Sequence, residues 1–425
     1  MLRTKVIFVR WLGPSMVWPG MLCGAAWIGV AAKKVEAEVE VAPKSWEAEC
    51  RQMVDREVAG AGVRDERVLQ AVLQTPRHEF VSLAHRPYAY FDMALPIGKQ
   101  QTISSPFIVA YMTEAVAPQP TDRVLEVGTG SGYQAAILSP LVQDVYSVEI
   151  IHPLADKATQ TLNRLGYKNV HVKIGDGFAG WPEHAPFDKI MVTCSPEHVP
   201  QPLVDQLKEG GRMVIPVGER YQQILNLMRK EKGKLVTESL RPTLFVPMTG
   251  RAELDRQQAT DTSRVVIVNH DMEAESTEAD SPDDPLPGWY YQRQVRLVRG
   301  DMSPQGLQHA TFHNQLAGRS SHALQGLALD GRQFPKLRFA AWISSKDVAM
   351  GPEPTSLPKV AVTFYDQDRR QTETVWLGPF KGTQPWRRVE RTVRVPPESR
   401  EAIVRVGLFG ATGEFSVDEI VLAAP

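Results

Sequence analysis

Cysteine is scarce in this sequence. Cys23, Cys50 and Cys194 are three in 425 residues, too few and too scattered for a disulfide framework or a cysteine-built metal site. An excess of charge of either sign is also missing. The 48 Lys and Arg residues balance 49 Asp and Glu, for a net charge of −1. That balance argues against a protein that coats nucleic acid, and no nucleic-acid partner is expected. Long apolar runs are few. A mostly apolar stretch from Trp11 to Ala32 follows Arg3, Lys5 and Arg10, but Pro14, Pro19 and four glycines interrupt it. It has the layout of a secretory signal or an anchor, and just reaches the roughly 20 residues needed to span a bilayer. A membrane enters the reading only if residues 11–32 act as that anchor. No Ser/His/Asp or Cys/His arrangement stands out, and no metal is expected.

What is present points to several domains, because 425 residues exceed one ordinary core. Residues 1–45 read as the apolar leader or anchor and a charged tether. Residues 46–251 alternate between apolar strand-like runs and amphipathic helices, the rhythm of a mostly parallel sheet covered on both faces. Helices are expected over Trp46–Val58, Asp65–Leu73 and Leu154–Leu165, the last closed by Gly166. Strands are expected at Asp144–Val148, Val170–Ile174, Phe187–Val192 and Arg212–Val217, with an antiparallel pair at Ile224–Met228 and Leu235–Val246. Residues 252–285 read as an acidic linker: positions 271–284 hold seven Asp or Glu and no Lys or Arg. Residues 286–425 show short strand-like runs punctuated by Gly and Pro and no long helix, the pattern of an antiparallel β-sandwich.

The chemistry concentrates around Val124-Leu125-Glu126-Val127-Gly128-Thr129-Gly130-Ser131-Gly132. A β-branched strand runs into three glycines at alternate positions and then a helix. Glycines allow turn geometry closed to other residues and a close backbone approach to a ligand. Such a loop alone does not separate a nicotinamide cofactor from other nucleotide-like guests. Glu149 ends the next strand, where a carboxylate can accept both hydroxyls of a ribose. Asp176 follows the third strand, where it can accept from an exocyclic adenine amine. Upstream, Gln101, Thr102, Ser104 and Ser105 crowd one short loop before a helix that starts at Pro106. Hydroxyl capping accounts for one of them, and a hydroxyl-lined helix start also suits a carboxylate ligand.

Glycine loop, ribose acid and adenine acid, in that order, resemble the S-adenosylmethionine-dependent methyltransferases with a Rossmann-like sheet. Leu95-Pro96-Ile97-Gly98, Gln101-Thr102-Ile103-Ser104, Gly175-Asp176-Gly177, Ala185-Pro186-Phe187-Asp188 and Phe245-Val246-Pro247 narrow the likeness. Together they resemble protein-L-isoaspartate O-methyltransferase from about residue 47 to residue 251. Lys99-Gln100 departs from the pattern, since bacterial members often carry a glycine there, and so does Cys194-Ser195-Pro196.

The resemblance implies an α/β, Rossmann-like methyltransferase fold followed by an all-β, jelly-roll-like sandwich. It implies S-adenosyl-L-methionine as cofactor and isoaspartyl-containing proteins or peptides as partners. It carries Ser104 over as the catalytic hydroxyl and Thr102 and Val246 as substrate contacts. It assigns Ser105, Pro106, Glu126, Gly128, Thr129, Gly130, Gly132, Glu149, Asp176, Gly177 and Thr249 to the cofactor. A related methyltransferase with another acceptor, or a non-catalytic binding protein, are the rival readings. The C-terminal runs resemble carbohydrate-binding modules. Trp289, Trp342, Trp376 and Trp386 could stack on a sugar or face a protein ligand, and core packing competes for each. A methyl donor made in the cytoplasm favours a cytoplasmic location; export or anchoring through residues 3–32 is the alternative.

Overall fold

In a computed structural model of the chain, the described residues are 45–256, 264–275, 285–300 and 302–425. The apolar leader and much of the acidic stretch lie outside them. Among the described residues, no helix is long and apolar enough to cross a membrane. Residues 45–425 form one compact unit.

The chain opens with α1 (Trp46–Met53), capped by the Ser45 hydroxyl and continued by a π-helical turn at Val54–Val58. Helix α2 (Glu66–Gln74) is capped by Asp65 and buries Val68, Leu69, Ala71 and Val72 on one stripe. A hairpin of β1 (Leu95–Gly98) and β2 (Gln101–Ile103) leads into α3 (Pro106–Val116). Then follow β3 (Arg123–Val127), α4 (Tyr133–Leu138), β4 (Asp144–Glu149), α5 (His152–Leu165), β5 (Val170–Ile174), β6 (Phe187–Val192) and α6 (Gln201–Gln206). Strands β7 (Leu207–Gly218), β8 (Gln223–Glu231) and β9 (Lys234–Thr243) and a short α7 (Arg251–Leu254) complete the first half. Gly166, at φ 86°, ends α5 as expected, its amide and that of Tyr167 satisfying the last carbonyls.

The sheet runs β5-β4-β3-β6-β7-β8-β9. The first five strands are parallel, and β7-β8-β9 is an antiparallel extension; the expected pair is present, with β8 running three residues past Met228 and β9 ending three residues before Val246. Alternation along β3 sends Val124 to the core shared with α2, α3 and α4, and Leu125 and Val127 to the core on the other face. All three are essentially buried, each contributing about 1.5–3 kcal/mol relative to exposure. Glu126 shares the pleat side of Val124, so the same alternation buries a carboxylate.

The second half contains a five-stranded and a four-stranded sheet, antiparallel throughout. The strands are β10 (Val295–Arg299), β11 (Gln308–Asn314), β12 (His322–Ala328), β13 (Lys336–Ala349), β14 (Lys359–Tyr365), β15 (Gln371–Leu377), β16 (Gly382–Arg394), β17 (Glu401–Gly407) and β18 (Thr412–Ala423). The orders are β10-β11-β18-β13-β16 and β12-β17-β14-β15. One core joins both sheets: Phe312, Phe339 and Phe415 from the first meet Val362, Phe364 and Val404 from the second. Residues 264–275, inside the stretch expected to be solvated linker, contribute Ile267 and Met272 to this core. Ile267 belongs to the apolar run Val265–Val268, and Met272 lies between Asp271 and Glu273; both are buried because the sandwich covers them. Trp289 is fully buried, whereas Trp376 is the exposed indole of the four singled out.

Candidate functional site

A cleft opens at the C-terminal ends of β3, β4 and β6, where the strand order turns from β3-β4-β5 to β6-β7. Open α/β sheets hold their ligands at this switch point. One wall is the β1–β2 hairpin together with Ser104 just beyond it. Lys99 and Gln100 sit at φ 54° and 56°, so both central turn residues are left-handed, as a two-residue hairpin with the twist of its strands requires. The departure from the family pattern at these two residues therefore forms a tight turn, and Gln101, Thr102, Ile103 and Ser104 still line the cleft.

The start of α3 corrects the expectation of hydroxyl capping. Ser105 occupies the cap position, but its side chain makes no capping bond. Asp92, a buried residue 15 positions upstream of Phe107, accepts the Phe107 amide through Oδ1 at 2.8 Å instead. Ser105 Oγ is buried without a partner, and neither Ser105 nor Pro106 lines the cleft. Ser104, half-buried, lines it with a hydroxyl that makes no hydrogen bond among the described residues. Loop burial, invisible in sequence, separates the roles of two adjacent serines.

The floor is the glycine loop. Gly128, Gly130 and Gly132 sit at φ 98°, 54° and 87°. A Cβ on Gly128 would lie 2.5 Å from Thr193 Oγ1, whose hydroxyl donates to the Gly128 carbonyl at 2.7 Å. Gly128, Thr129 and Gly130 line the cleft; Gly132 instead packs α4 against Leu162 of α5. Glu149 reaches the same floor from the end of β4. Its Oε2 accepts the Gly130 amide at 2.8 Å and its Oε1 the Ile151 amide at 2.9 Å. An ionised carboxylate has about four acceptor positions, so Glu149 retains acceptor capacity beside the cleft it lines.

Glu126 stands behind the loop rather than in the cleft. It is fully buried; Ser147 donates to its Oε2, Thr129 Oγ1 lies 2.5 Å from Ser147 Oγ, and Oε1 has no partner. Burial, reinforced by the negative charge of Glu149, pushes its carboxyl up to about 8 against the Ser147 hydrogen bond. Glu126 is therefore largely protonated at neutral pH. Asp176 also departs from direct placement in the cleft. Its Oδ1 caps Phe178 at 2.9 Å, its Oδ2 accepts the Arg251 amide at 2.8 Å, and it faces an adjoining hollow with Phe178, Pro202 and Arg251. Gly177 does line the cleft, and a Cβ there would meet Val127 Cγ1 at 2.3 Å.

The remaining wall comes from residues 245–249. After β9 the chain crosses back: Ser195 N donates to Val246 O at 2.8 Å and Met248 N to Ser195 O at 2.9 Å. Val246 and Thr249 thereby line the cleft together with Ile150, Thr193 and Cys194. The last three were not assigned to the site from the sequence, although each follows a strand flanking the switch point. Desolvation raises the Cys194 thiol above its usual range and so disfavours its thiolate. His78 is part of an aromatic cluster with Trp46 and Tyr90, its Nδ1 2.7 Å from Tyr90 Oη, and does not line the cleft.

These residues fit an adenosyl cofactor. The loop follows a glycine-only path, an acid with spare acceptor capacity stands at its edge, and apolar Val127, Val148 and Ile150 line the same space. Among the described residues no cluster could hold a metal ion.

The sequence model for protein-L-isoaspartate(D-aspartate) O-methyltransferase matches residues 48–253. A protein-L-isoaspartate O-methyltransferase 2 of Syntrophobacter fumaroxidans is 53% identical over 193 residues, covering 45% of this chain and 78% of that relative. The protein-L-isoaspartate O-methyltransferase of Gloeobacter violaceus is 50% identical over 198 residues, 46% of this chain and 97% of the relative. A solved protein-L-isoaspartate O-methyltransferase is 25% identical with a TM-score of 0.44, covering 66% of this chain and 84% of that one. At this level of identity over most of its relatives' length, the chain belongs to the protein-L-isoaspartate O-methyltransferase family, enzymes that use S-adenosyl-L-methionine to methylate the carboxylate of isoaspartyl residues.

Proposed function

We propose that Ser104 receives the isoaspartyl carboxylate and that the glycine loop with Glu149 seats the methyl donor beside it. The observation that carries this reading is the free hydroxyl of Ser104. Asp92 already caps α3, so Ser104 can donate to a substrate oxygen without giving up a structural bond. Thr102 and Val246, on opposite walls, would hold the peptide on either side. Gly128, Thr129 and Gly130 would follow the methionine portion. Glu149 would accept from the ribose hydroxyls, and Gly177 and Thr249 would flank the base. Asp176 would act on the adenine from the adjoining hollow, and Glu126, Gly132, Ser105 and Pro106 would act by holding the loop and helix in place.

S-adenosyl-L-methionine, when bound, supplies an electrophilic methyl on a sulfonium. The chain's own work is orientation. A carboxylate is already ionised at neutral pH, so no strong base is required. The cation and the anion lose their charges as they react, so a water-poor cleft that aligns them favours the transition state. The reading also places the protein in the cytoplasm, where the donor is made, with isoaspartyl sites of damaged proteins as its partners. Fractionation of a tagged chain tests the location.

Methyl transfer from radiolabelled donor to an isoaspartyl peptide and its normal-aspartyl twin tests the activity. Label should enter the isoaspartyl peptide alone. Equal transfer to both, or transfer to neither, would overturn the reading.

A further inference from the structure

We infer that a short strap of the β-sandwich, Tyr291 to Arg293, braces both walls of the acceptor cleft, making Arg293 and Tyr291 positioning residues for methyl transfer. The inference rests on the reading of Ser104 and residues 245–249 as the acceptor walls.

The first wall is reached through a buried relay. Arg293 Nε donates to Asp92 Oδ2 at 3.0 Å, with the two side chains 8% and 1% exposed. The other oxygen of Asp92 accepts the Phe107 amide, in the first turn of α3 immediately after Ser104, Ser105 and Pro106. The Arg293 guanidinium also lies 4.2 Å from the centroid of the Phe107 ring. One carboxylate thus divides its acceptors between the sandwich and the acceptor helix. The second wall is reached two residues earlier. Tyr291 donates its hydroxyl to the Leu244 carbonyl at 3.0 Å, just before the segment Phe245–Thr249, and packs against the core of the first half.

The strap itself is held by the sandwich. Tyr290 exchanges backbone bonds with Leu324 of β12, and the Arg293 amide donates to His322 of the same strand at 2.9 Å. The Gln292 side chain makes three more bonds, to the backbone of Leu286 and Trp289. Both walls are consequently referenced to one strand, β12, which pairs with β17. The Arg293 Nε bond to Oδ2 fixes the carboxylate whose Oδ1 caps Phe107, so losing that bond loosens the cap on α3.

The test uses the full chain with Arg293→Lys, which keeps a charge but loses the Nε geometry, and Tyr291→Phe, which deletes one hydroxyl. Amide exchange at Phe107 and Ile108 should rise at least tenfold in Arg293→Lys while exchange in β3 stays within twofold. For the isoaspartyl peptide, kcat/KM should fall at least fivefold in each variant, with S-adenosylhomocysteine affinity within about threefold of wild type. Unchanged exchange and kcat/KM in the folded variants would overturn the inference. Exchange raised equally in α3 and β3 would overturn it too, reducing the strap to ordinary interface adhesion. A wild-type protein that transfers no methyl would instead refute the proposed function, and the exchange measurement would still decide whether the strap braces α3.

Discussion

Glu149 and Gly130 are joined by a 2.8 Å hydrogen bond from the loop amide to Oε2, across 19 residues of sequence. The acid at the end of β4 is therefore a structural prop of the glycine loop as well as a candidate ribose ligand. Replacing Glu149 with Gln keeps two acceptor positions but removes the charge. S-adenosylhomocysteine affinity measured by titration calorimetry should fall about 10-fold to 100-fold, equivalent to roughly 1.4–2.7 kcal/mol. Glu149→Ala should fall further, because both the Gly130 and Ile151 amides lose their acceptor. A folded Glu149→Gln protein with normal affinity would remove the ribose assignment.

The two adjacent serines should separate cleanly. Ser104→Ala removes no hydrogen bond within the described residues, so thermal stability should stay within about 0.5 kcal/mol, the usual range for substitutions away from special features. Its kcat for an isoaspartyl peptide should fall at least tenfold. Ser105→Ala removes a buried hydroxyl that has no partner, and should hold or raise stability by about 1 kcal/mol with activity largely kept. Denaturant titration beside steady-state kinetics checks both; equal kinetic losses would contradict the assignment of roles.

Glu126 imposes a pH dependence with a definite sign. Its carboxyl titrates near 8 in the folded chain against an ordinary value of 4.5, so the folded state binds the proton more tightly. The associated stability is fully present below the ordinary value and is lost as pH rises through that window. The slope approaches about 1.4 kcal/mol per pH unit between the two values. Glu126→Gln stays neutral throughout. Its melting temperature should gain on wild type steadily from pH 5 to pH 8, as read by differential scanning calorimetry. Parallel pH curves for the two proteins would show that burial does not raise this group.

Gly128 should tolerate no side chain. Gly128→Ala would bring a Cβ within 2.5 Å of Thr193 Oγ1 at φ 98°, so either Thr193 abandons its bonds to Val127 and Gly128 or the loop moves. Backbone strain of this kind costs on the order of 1–3 kcal/mol. Cofactor affinity should drop with stability in Gly128→Ala, whereas Gly166→Ala, with open space around its Cβ, should lose stability through its positive φ alone and leave affinity intact. Isothermal titration of both variants makes the comparison.

The sheet and its flanking helices were readable because each depends on neighbours close in sequence. Alternation along Val124–Val127, the left-handed stop at Gly166 and the glycine spacing of the loop all act over a few residues. The β1–β2 hairpin escaped notice because its turn uses Lys99 and Gln100, residues without the usual glycine or asparagine signal for positive φ. The Ile267 and Met272 contribution escaped because the acids from Asp271 onward set the character of the whole stretch, although Val265–Val268 is apolar, while burial is decided by the sandwich they meet.

The glycine loop and Glu149 by themselves pointed to a nucleotide-like cofactor, and the Thr102-Ile103-Ser104 run to a hydroxyl-bearing loop before a helix, since strand, turn and helix start are local structures. Tertiary structure alone decided which serine faces the cleft. The cap on α3 comes from Asp92, and Asp92 is held by Arg293, 201 residues further along the chain. A carboxylate takes up a capping role only where folding has removed water and brought both donors within reach, and no local pattern of residue types encodes that meeting.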